Sequence, residues 1–216
     1  MVKAIIFDLD GTLVDTSRDI HKVLNTSLQK YSVPQITLRQ TIEFVGNGAK
    51  KLVERAAGEE YASLVPEIYA DFSRAFVGCD NALTTLYDGE EQALKDFGDR
   101  KIRLAVLTNK PQRAAENVCK KHLDKFGFDF VVGQTDGVPL KPDPYTTLKL
   151  IEKFGVKKSE CVFVGDGETD VQTAARAGIK CISVLWGFRT RSQLLNAGGS
   201  IFAESYNRLQ KLIYSL

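Results

Sequence analysis

Ala4-Ile5-Ile6-Phe7-Asp8-Leu9-Asp10-Gly11-Thr12-Leu13-Val14-Asp15-Thr16 is the stretch on which the rest of the chain turns. Its apolar opening, rich in isoleucine, predicts a strand buried on both faces, as strands of a parallel sheet are. The strand should end at Asp8. Two carboxylates one residue apart, then a glycine suited to a sharp turn and a threonine able to cap or to bind an anion, are an unusual way to close a core strand. Parallel sheets place ligands beyond the carboxyl ends of their strands, so these acids would stand at the mouth of a site. Taken alone, Asp-x-Asp-Gly also reads as an Asx-type turn. The other strand ends must decide between the two.

The whole chain sets the bounds. Its 216 residues, 44% apolar and 26% charged, suit one good core with a smaller satellite domain. Twenty-nine basic against 27 acidic residues leave a net charge of +2, which gives no ground for nucleic acid or an anionic membrane as a partner. Cys79, Cys119, Cys161 and Cys181 are widely spread, without a Cys-x-x-Cys pair, and read as reduced thiols. A strand already begins by Lys3 and no apolar run approaches membrane-spanning length, so the expectation is a cytoplasmic protein.

Along the chain, the period changes from strand to helix after Thr16. Ile20, Val23, Leu24, Leu28 and Tyr31 predict one helix, Leu38, Ile42 and Val45 a second, and Leu52 and Val53 a third beyond Gly46-Asn47-Gly48. A fourth spans Glu59 to about Val77, with Pro66 marking a kink or a fresh start. About sixty residues of helix inserted after the opening strand are most simply a cap, expected over 16–79, with the core formed by 1–15 and 80–216. From Glu90 the pattern alternates. Helices to Phe97 and over Pro111–Phe126, Pro144–Phe154, Glu168–Ala177, Thr190–Ala197 and Tyr206–Tyr214 separate strands at Ile102–Thr108, Phe130–Val132, Cys161–Val164, Cys181–Leu185 and Ser200–Phe202. Such alternation predicts an α/β fold with a mostly parallel sheet covered on both faces.

The strand ends carry matching chemistry. Leu104–Leu107 runs into Thr108-Asn109-Lys110-Pro111, a hydroxyl, an amide and a Pro-started helix that together suit a phosphate or, more plainly, a helix cap. Val162–Val164 runs into Gly165-Asp166-Gly167-Glu168-Thr169-Asp170, more acids than capping needs. Lys141 precedes a Pro142-Asp143-Pro144 turn. If Asp8, Asp10 and Asp166 converge, each like-charged pair near 4 Å repels by roughly 4 kcal/mol at an effective dielectric near 20, so cations must join them. Lys141 is one. The other would be a hard, oxygen-preferring divalent ion, Mg²⁺. His21 and His122 are lone residues in helical patterns and stay outside the site.

In these residues the chain resembles the haloacid dehalogenase superfamily: Asp8-Leu9-Asp10-Gly11-Thr12, Thr108-Asn109, Lys141-Pro142 and Gly165-Asp166 through Asp170 match its four motifs in order. The resemblance implies a modified Rossmann core of central strand order 5-4-1-2-3 and a helical cap after the first motif. It implies Asp8 as the nucleophile forming an aspartyl phosphate and Asp10 as general acid, then base. Asp8, Asp10 and Asp166 would hold Mg²⁺ with Asp170 behind them, and Gly11, Thr108, Asn109 and Lys141 would hold the phosphoryl group. An acid at Asp10 points within the superfamily to phosphatases and phosphomutases.

Phe44–Ala56 in the cap is similar to the corresponding loop of phosphoglycolate phosphatases, as is Trp186-Gly187-Phe188-Arg189-Thr190-Arg191 with Leu194–Gly198. A glycine-flanked turn opening onto a helix offers N–H groups to a substrate carboxylate, with Asn47 and Lys50 as contacts, or is simply an interhelix turn. The expected partner is a small phosphorylated metabolite, with no nucleic acid and no membrane, bound by a monomer or homodimer. A sugar phosphomutase of the β-phosphoglucomutase kind, a pyrophosphatase and a phospho-aspartate signalling module are the alternatives. The last fits poorly, because Phe130–Val132 ends without an acceptor Asp and a receiver carries no such insert.

Overall fold

The structure, a computed structural model, describes all 216 residues. Strand β1 (Ala4–Phe7) is followed by a two-residue strand, β2 (Val14–Asp15), that leads out to four helices: α1 (Ser17–Lys30), α2 (Leu38–Phe44), α3 (Ala49–Ala57) and α4 (Val65–Val77). The chain returns through β3 (Thr85–Leu86), which pairs antiparallel with β2. It then alternates: α5 (Glu90–Asp99), β4 (Arg103–Pro111), α6 (Gln112–His122), β5 (Phe130–Gln134), α7 (Tyr145–Phe154), β6 (Cys161–Gly165), α8 (Glu168–Ala177), β7 (Lys180–Val184), α9 (Arg191–Asn196), β8 (Ile201–Ala203) and α10 (Tyr206–Ser215).

The main sheet is parallel throughout, in the order β5-β4-β1-β6-β7-β8. Counted along the chain and read from the β7 side, its first five strands give 5-4-1-2-3, with β8 added at the edge beyond β7. The period-2 alternation explains why both faces are apolar. Ile5, Phe7, Leu104, Val106, Val162 and Val164 pack on one side with Leu94, Phe97 and Leu209, while Ala4, Ile6, Ala105, Leu107 and Phe163 pack on the other with Leu150 and Phe154. The cap has its own core, in which Ile20, Leu24, Leu28, Leu52, Val53, Ile68, Phe72 and Phe76 meet a single core-side residue, Ala114.

Besides shifts of one or two residues at other ends, three boundaries differ from the sequence reading. Pro66 is a fresh start, lying in the first turn of α4 after a short 3₁₀ turn at Ala62–Leu64. The helix expected to reach Phe126 stops at His122, and a 3₁₀ turn covers Asp124–Phe126. β4 does not end at Thr108. It continues to Pro111, but pairing jumps from Leu107↔Val132 to Pro111↔Gln134, so Thr108–Lys110 bulge out of the ladder. Such bulges re-aim side chains, and this one lies beside the site. The β2–β3 pair was not anticipated, because two residues are too few to show a period.

Candidate active site

Register brings the predicted residues together. Phe7 pairs with Val106 on one side and Val164 on the other, so Thr108 and Asp166, each two residues further on, flank the turn that begins at Asp8. The Asp8 N–H still donates to the Val164 carbonyl at 2.9 Å, which fixes where its side chain leaves the sheet. Asp8 Oδ1 accepts from the Leu9 N–H at 2.7 Å and pairs with Lys141 Nζ at 2.8 Å. The same ammonium reaches Asp170 Oδ1 at 2.7 Å. Asp8 Oδ2 accepts nothing from the protein.

Asp166 is held on both oxygens, by the Thr12 hydroxyl at 2.8 Å and the Phe188 N–H at 2.7 Å. Asp170, fully buried, takes its second hydrogen bond from the Gly167 N–H. Asp8, Asp166 and Asp170 each present a carboxylate oxygen within 4.8 Å of the others. The crowding shows in their acidity. Burial first and Asp170 second push the Asp8 carboxyl up to about 8, against the pull of Lys141. Burial and then Asp170 push Asp166 up to about 7. Burial alone would lower the Lys141 ammonium, but Asp170 and Asp8 outweigh it and hold the group charged above the usual lysine range.

Two further residues belong here that the sequence reading missed. Lys110 Nζ lies 2.9 Å from Asp10 Oδ1, with the lysine side chain almost wholly buried and its ammonium 4.2 Å from the centre of the Phe76 ring. Thr16 donates to the same oxygen at 2.6 Å. A lysine two residues beyond a strand's expected end carries no signal of such a role; the bulge supplies it. Opposite-charge spacing alone would not have found Thr16 either.

Local geometry bears on the other expected site residues. The Gly11 N–H is donated to the Val14 carbonyl at 2.8 Å, so it is not free for a phosphate. What glycine supplies there is a φ of +84° and clearance, since a Cβ would collide with the Asp166 carboxylate. The Asn109 side-chain amide is likewise committed, donating to the carbonyls of Gly46 and Lys141 at 3.0 Å and accepting from the Lys141 N–H at 2.9 Å. Any phosphate contact at Asn109 falls to its backbone. The N-terminus of α6 begins at Gln112, beyond the bulge, rather than beside Thr108. Asn47 lines a cleft with Asp8, Asp10 and Asp166, whereas Lys50 is exposed and lines none of the clefts around Asp8.

Beside Asp8 and Asp10 a cleft opens between core and cap. Thr108, Lys110 and Pro111 form its floor, and Ile20, Val45, Leu52 and Phe76 its apolar walls. Four carboxylates, at Asp8, Asp10, Asp166 and Asp170, face two ammonium groups. With all four ionised, the set is two positive charges short.

Residues 5–184 match the family model of haloacid dehalogenase-like hydrolases. The chain belongs to that family. It is 32% identical over 214 residues to a phosphoglycolate phosphatase of Pseudomonas syringae pv. tomato, covering 96% of this chain and 78% of the relative. To the phosphoglycolate phosphatase of Aliivibrio fischeri it is 27% identical, covering 96% and 95%. A crystal structure of a protein named as a candidate phosphoglycolate phosphatase from Lactobacillus delbrueckii subsp. bulgaricus superposes with a TM-score of 0.90 at 26% identity, covering 98% of both chains. These relatives place the enzyme among the phosphoric monoester hydrolases of the family. No helix is long and apolar enough to cross a membrane, and all four cysteines are free.

Proposed function

We propose that this hydrolase cleaves a small anionic phosphate monoester, of the phosphoglycolate kind, through an aspartyl phosphate on Asp8 with Mg²⁺ as cofactor. The observation that carries the reading is Lys141, whose buried ammonium bridges Asp8 and Asp170 at 2.8 and 2.7 Å and leaves Asp8 Oδ2 without a protein donor. That oxygen is the nucleophile: it bonds to phosphorus as the ester oxygen departs. Thr16 and Lys110 both donate to Asp10 Oδ1, which leaves Oδ2 to carry a proton to the departing oxygen and afterwards to take one from the attacking water. The Thr108 hydroxyl and the Asn109 N–H would take the phosphoryl oxygens, while the Lys110 N–H is already donated to Thr108 Oγ1 at 3.2 Å.

The residues fit a hard divalent ion. The donors are all oxygen, three carboxylates lie within 4.8 Å of one another, and the set lacks two positive charges. Asp8, the Asp10 backbone carbonyl and Asp166 would hold Mg²⁺, with Asp170 behind them. Bound there, the ion neutralises phosphate charge as the anionic nucleophile approaches.

The substrate class follows from the cleft. Lys110 is its one cation, and Ile20, Leu52 and Phe76 offer no hydrogen bonds. A sugar would bury several hydroxyls without partners, each at about 1–3 kcal/mol, which weighs against a phosphomutase. A two-carbon acid would not. The test is inorganic phosphate release from phosphoglycolate, hexose phosphates and pyrophosphate, with and without EDTA. Phosphoglycolate should lead, and EDTA and Asp8→Asn should each abolish turnover. Equal rates across the panel would reject the substrate, and turnover surviving Asp8→Asn would reject the nucleophile.

A further inference from the structure

Arg189 stands in the core, in the loop between β7 and α9, yet its guanidinium serves the cap. Nη1 donates to the Ile42 carbonyl at 2.9 Å, and Nη2 reaches those of Val45 at 2.5 Å and Glu43 at 3.4 Å. These carbonyls end α2, where no further helical N–H exists to satisfy them and where the helix dipole turns its negative end. α2 has no basic residue of its own in its last turn. The remaining direction of the fork, Nε, pairs at 2.9 Å with Glu168, the first residue of α8 and two positions beyond Asp166. The arginine side chain is only 8% exposed.

The segment just past α2 makes this position consequential. Val45 and Gly46 wall the cleft above Asp8 and Asp10, and Asn47 the cleft that reaches Asp166. Asn109, also from the core, holds the Gly46 carbonyl at 3.0 Å. Two core side chains therefore tie down the cap segment that roofs the site, and Arg189 makes the larger share of the ties.

We propose that Arg189 is a positioning residue that latches the cap shut over the site through the carbonyl end of α2, with Glu168 aiming its guanidinium. A planar fork with five donors can span three carbonyls and a carboxylate at once; a lysine ammonium, three donors on a point, cannot. The proposal concerns closure of the cleft assigned above to catalysis, and in its kinetic consequence it rests on that assignment.

The experiment compares wild type, Arg189→Ala, Arg189→Lys and Glu168→Gln by amide hydrogen exchange and by steady-state phosphate release. In metal-free, substrate-free protein, exchange over residues 45–52 should rise at least tenfold in Arg189→Ala and less in Arg189→Lys and Glu168→Gln, while β1, β4 and β6 keep their protection. kcat/KM should fall in the same order, with Arg189→Lys recovering part of the loss. Exchange over 45–52 within twofold of wild type in Arg189→Ala would overturn the latch. So would a rise spread evenly over the sheet, which marks a merely structural role. If Arg189→Ala does not fold, Arg189→Lys and Glu168→Gln decide by the same local criterion. Failure of the wild type to release phosphate would refute the proposed chemistry and leave the exchange result to judge the latch by itself.

Discussion

Lys110 tests how much one buried charge contributes to the site. Its ammonium is 2.9 Å from Asp10 Oδ1 and otherwise faces the Phe76 ring and apolar walls. Lys110→Met keeps the length of the side chain and removes the charge. It should lower kcat/KM by roughly 100-fold, the lower end of what a positioned general acid contributes, while leaving the thermal midpoint within a few degrees of wild type. Unchanged kcat/KM would remove Lys110 from the site. Glu90 offers a stability test away from the chemistry. It is fully buried, one carboxylate oxygen accepts only a long bond from the Tyr87 N–H, and the other has no partner. Burial, with Glu91 adding and Tyr87 and Lys125 opposing, pushes its carboxyl up to about 8. The folded state thus holds a proton that the unfolded chain has released above its ordinary pKa near 4.5. Stability falls as pH climbs from about 4.5 to about 8. Glu90→Gln removes that slope, so the variant should match wild type at pH 4 and exceed it at pH 9 by an amount on the order of a few kcal/mol. Parallel melting curves across pH would show that Glu90 is not the group responsible.

Among elements, the four-residue loop Trp186–Arg189 makes contacts out of proportion to its length. Trp186 Nε1 donates to the Thr12 carbonyl at 3.0 Å, an oxygen that Tyr206 OH also holds at 3.0 Å, and the two rings stack with centroids 4.6 Å apart. The Phe188 N–H holds Asp166, and Arg189 holds α2. Gly187 between them is packed so closely that a Cβ would overlap the Gly11 carbonyl and the Asp166 side chain, neither of which can swing aside. Gly187→Ala should therefore displace Asp166, lowering phosphate release by more than about 100-fold and the melting temperature by several degrees, at roughly 2–4 °C per kcal/mol for a chain of this size. A variant with wild-type turnover would show that the packing yields. This loop and the Thr108–Lys110 bulge mark where sequence reasoning stopped. α8 was legible residue for residue as Glu168–Ala177, because its amphipathic period and glycine-bounded ends are local signals. Asp8, Asp166, Asp170 and Lys141 were legible as strand-end chemistry and are brought together. Lys110, Thr16 and Arg189 act through contacts that no local period encodes, at sequence separations of 100, 6 and 147. Gly11 and Asn109 had the right place, but the Gly11 N–H is engaged within the turn, and the Asn109 side-chain amide with Gly46 and Lys141.

At the scale of the whole molecule, two separately cored bodies meet over an acidic pocket, and the charge imbalance of that pocket belongs to the folded state alone. Asp8, Asp10, Asp166 and Asp170 are gathered from the ends of β1 and β6, with only Lys141 and Lys110 to offset them, whereas in the unfolded chain the two acid pairs are far apart and solvated. A divalent cation that restores the balance binds the native form and not the unfolded one, so it must raise the melting temperature by mass action. At a hundred times the dissociation constant the gain is about 2.7 kcal/mol, which for a chain of this size corresponds to roughly 5–10 °C. Mg²⁺ added to metal-free protein should produce this shift, EDTA should reverse it, and Asp166→Asn should lose most of it. Trp186, the single tryptophan, gives an independent readout. Its indole holds the Thr12 carbonyl while the Thr12 hydroxyl holds Asp166, so reorientation of that carboxylate on binding should change the fluorescence along the same saturation curve. An equal thermal shift in wild type and Asp166→Asn would place the ion elsewhere, and no shift at all would leave the four acids without the counter-charge that their proximity demands.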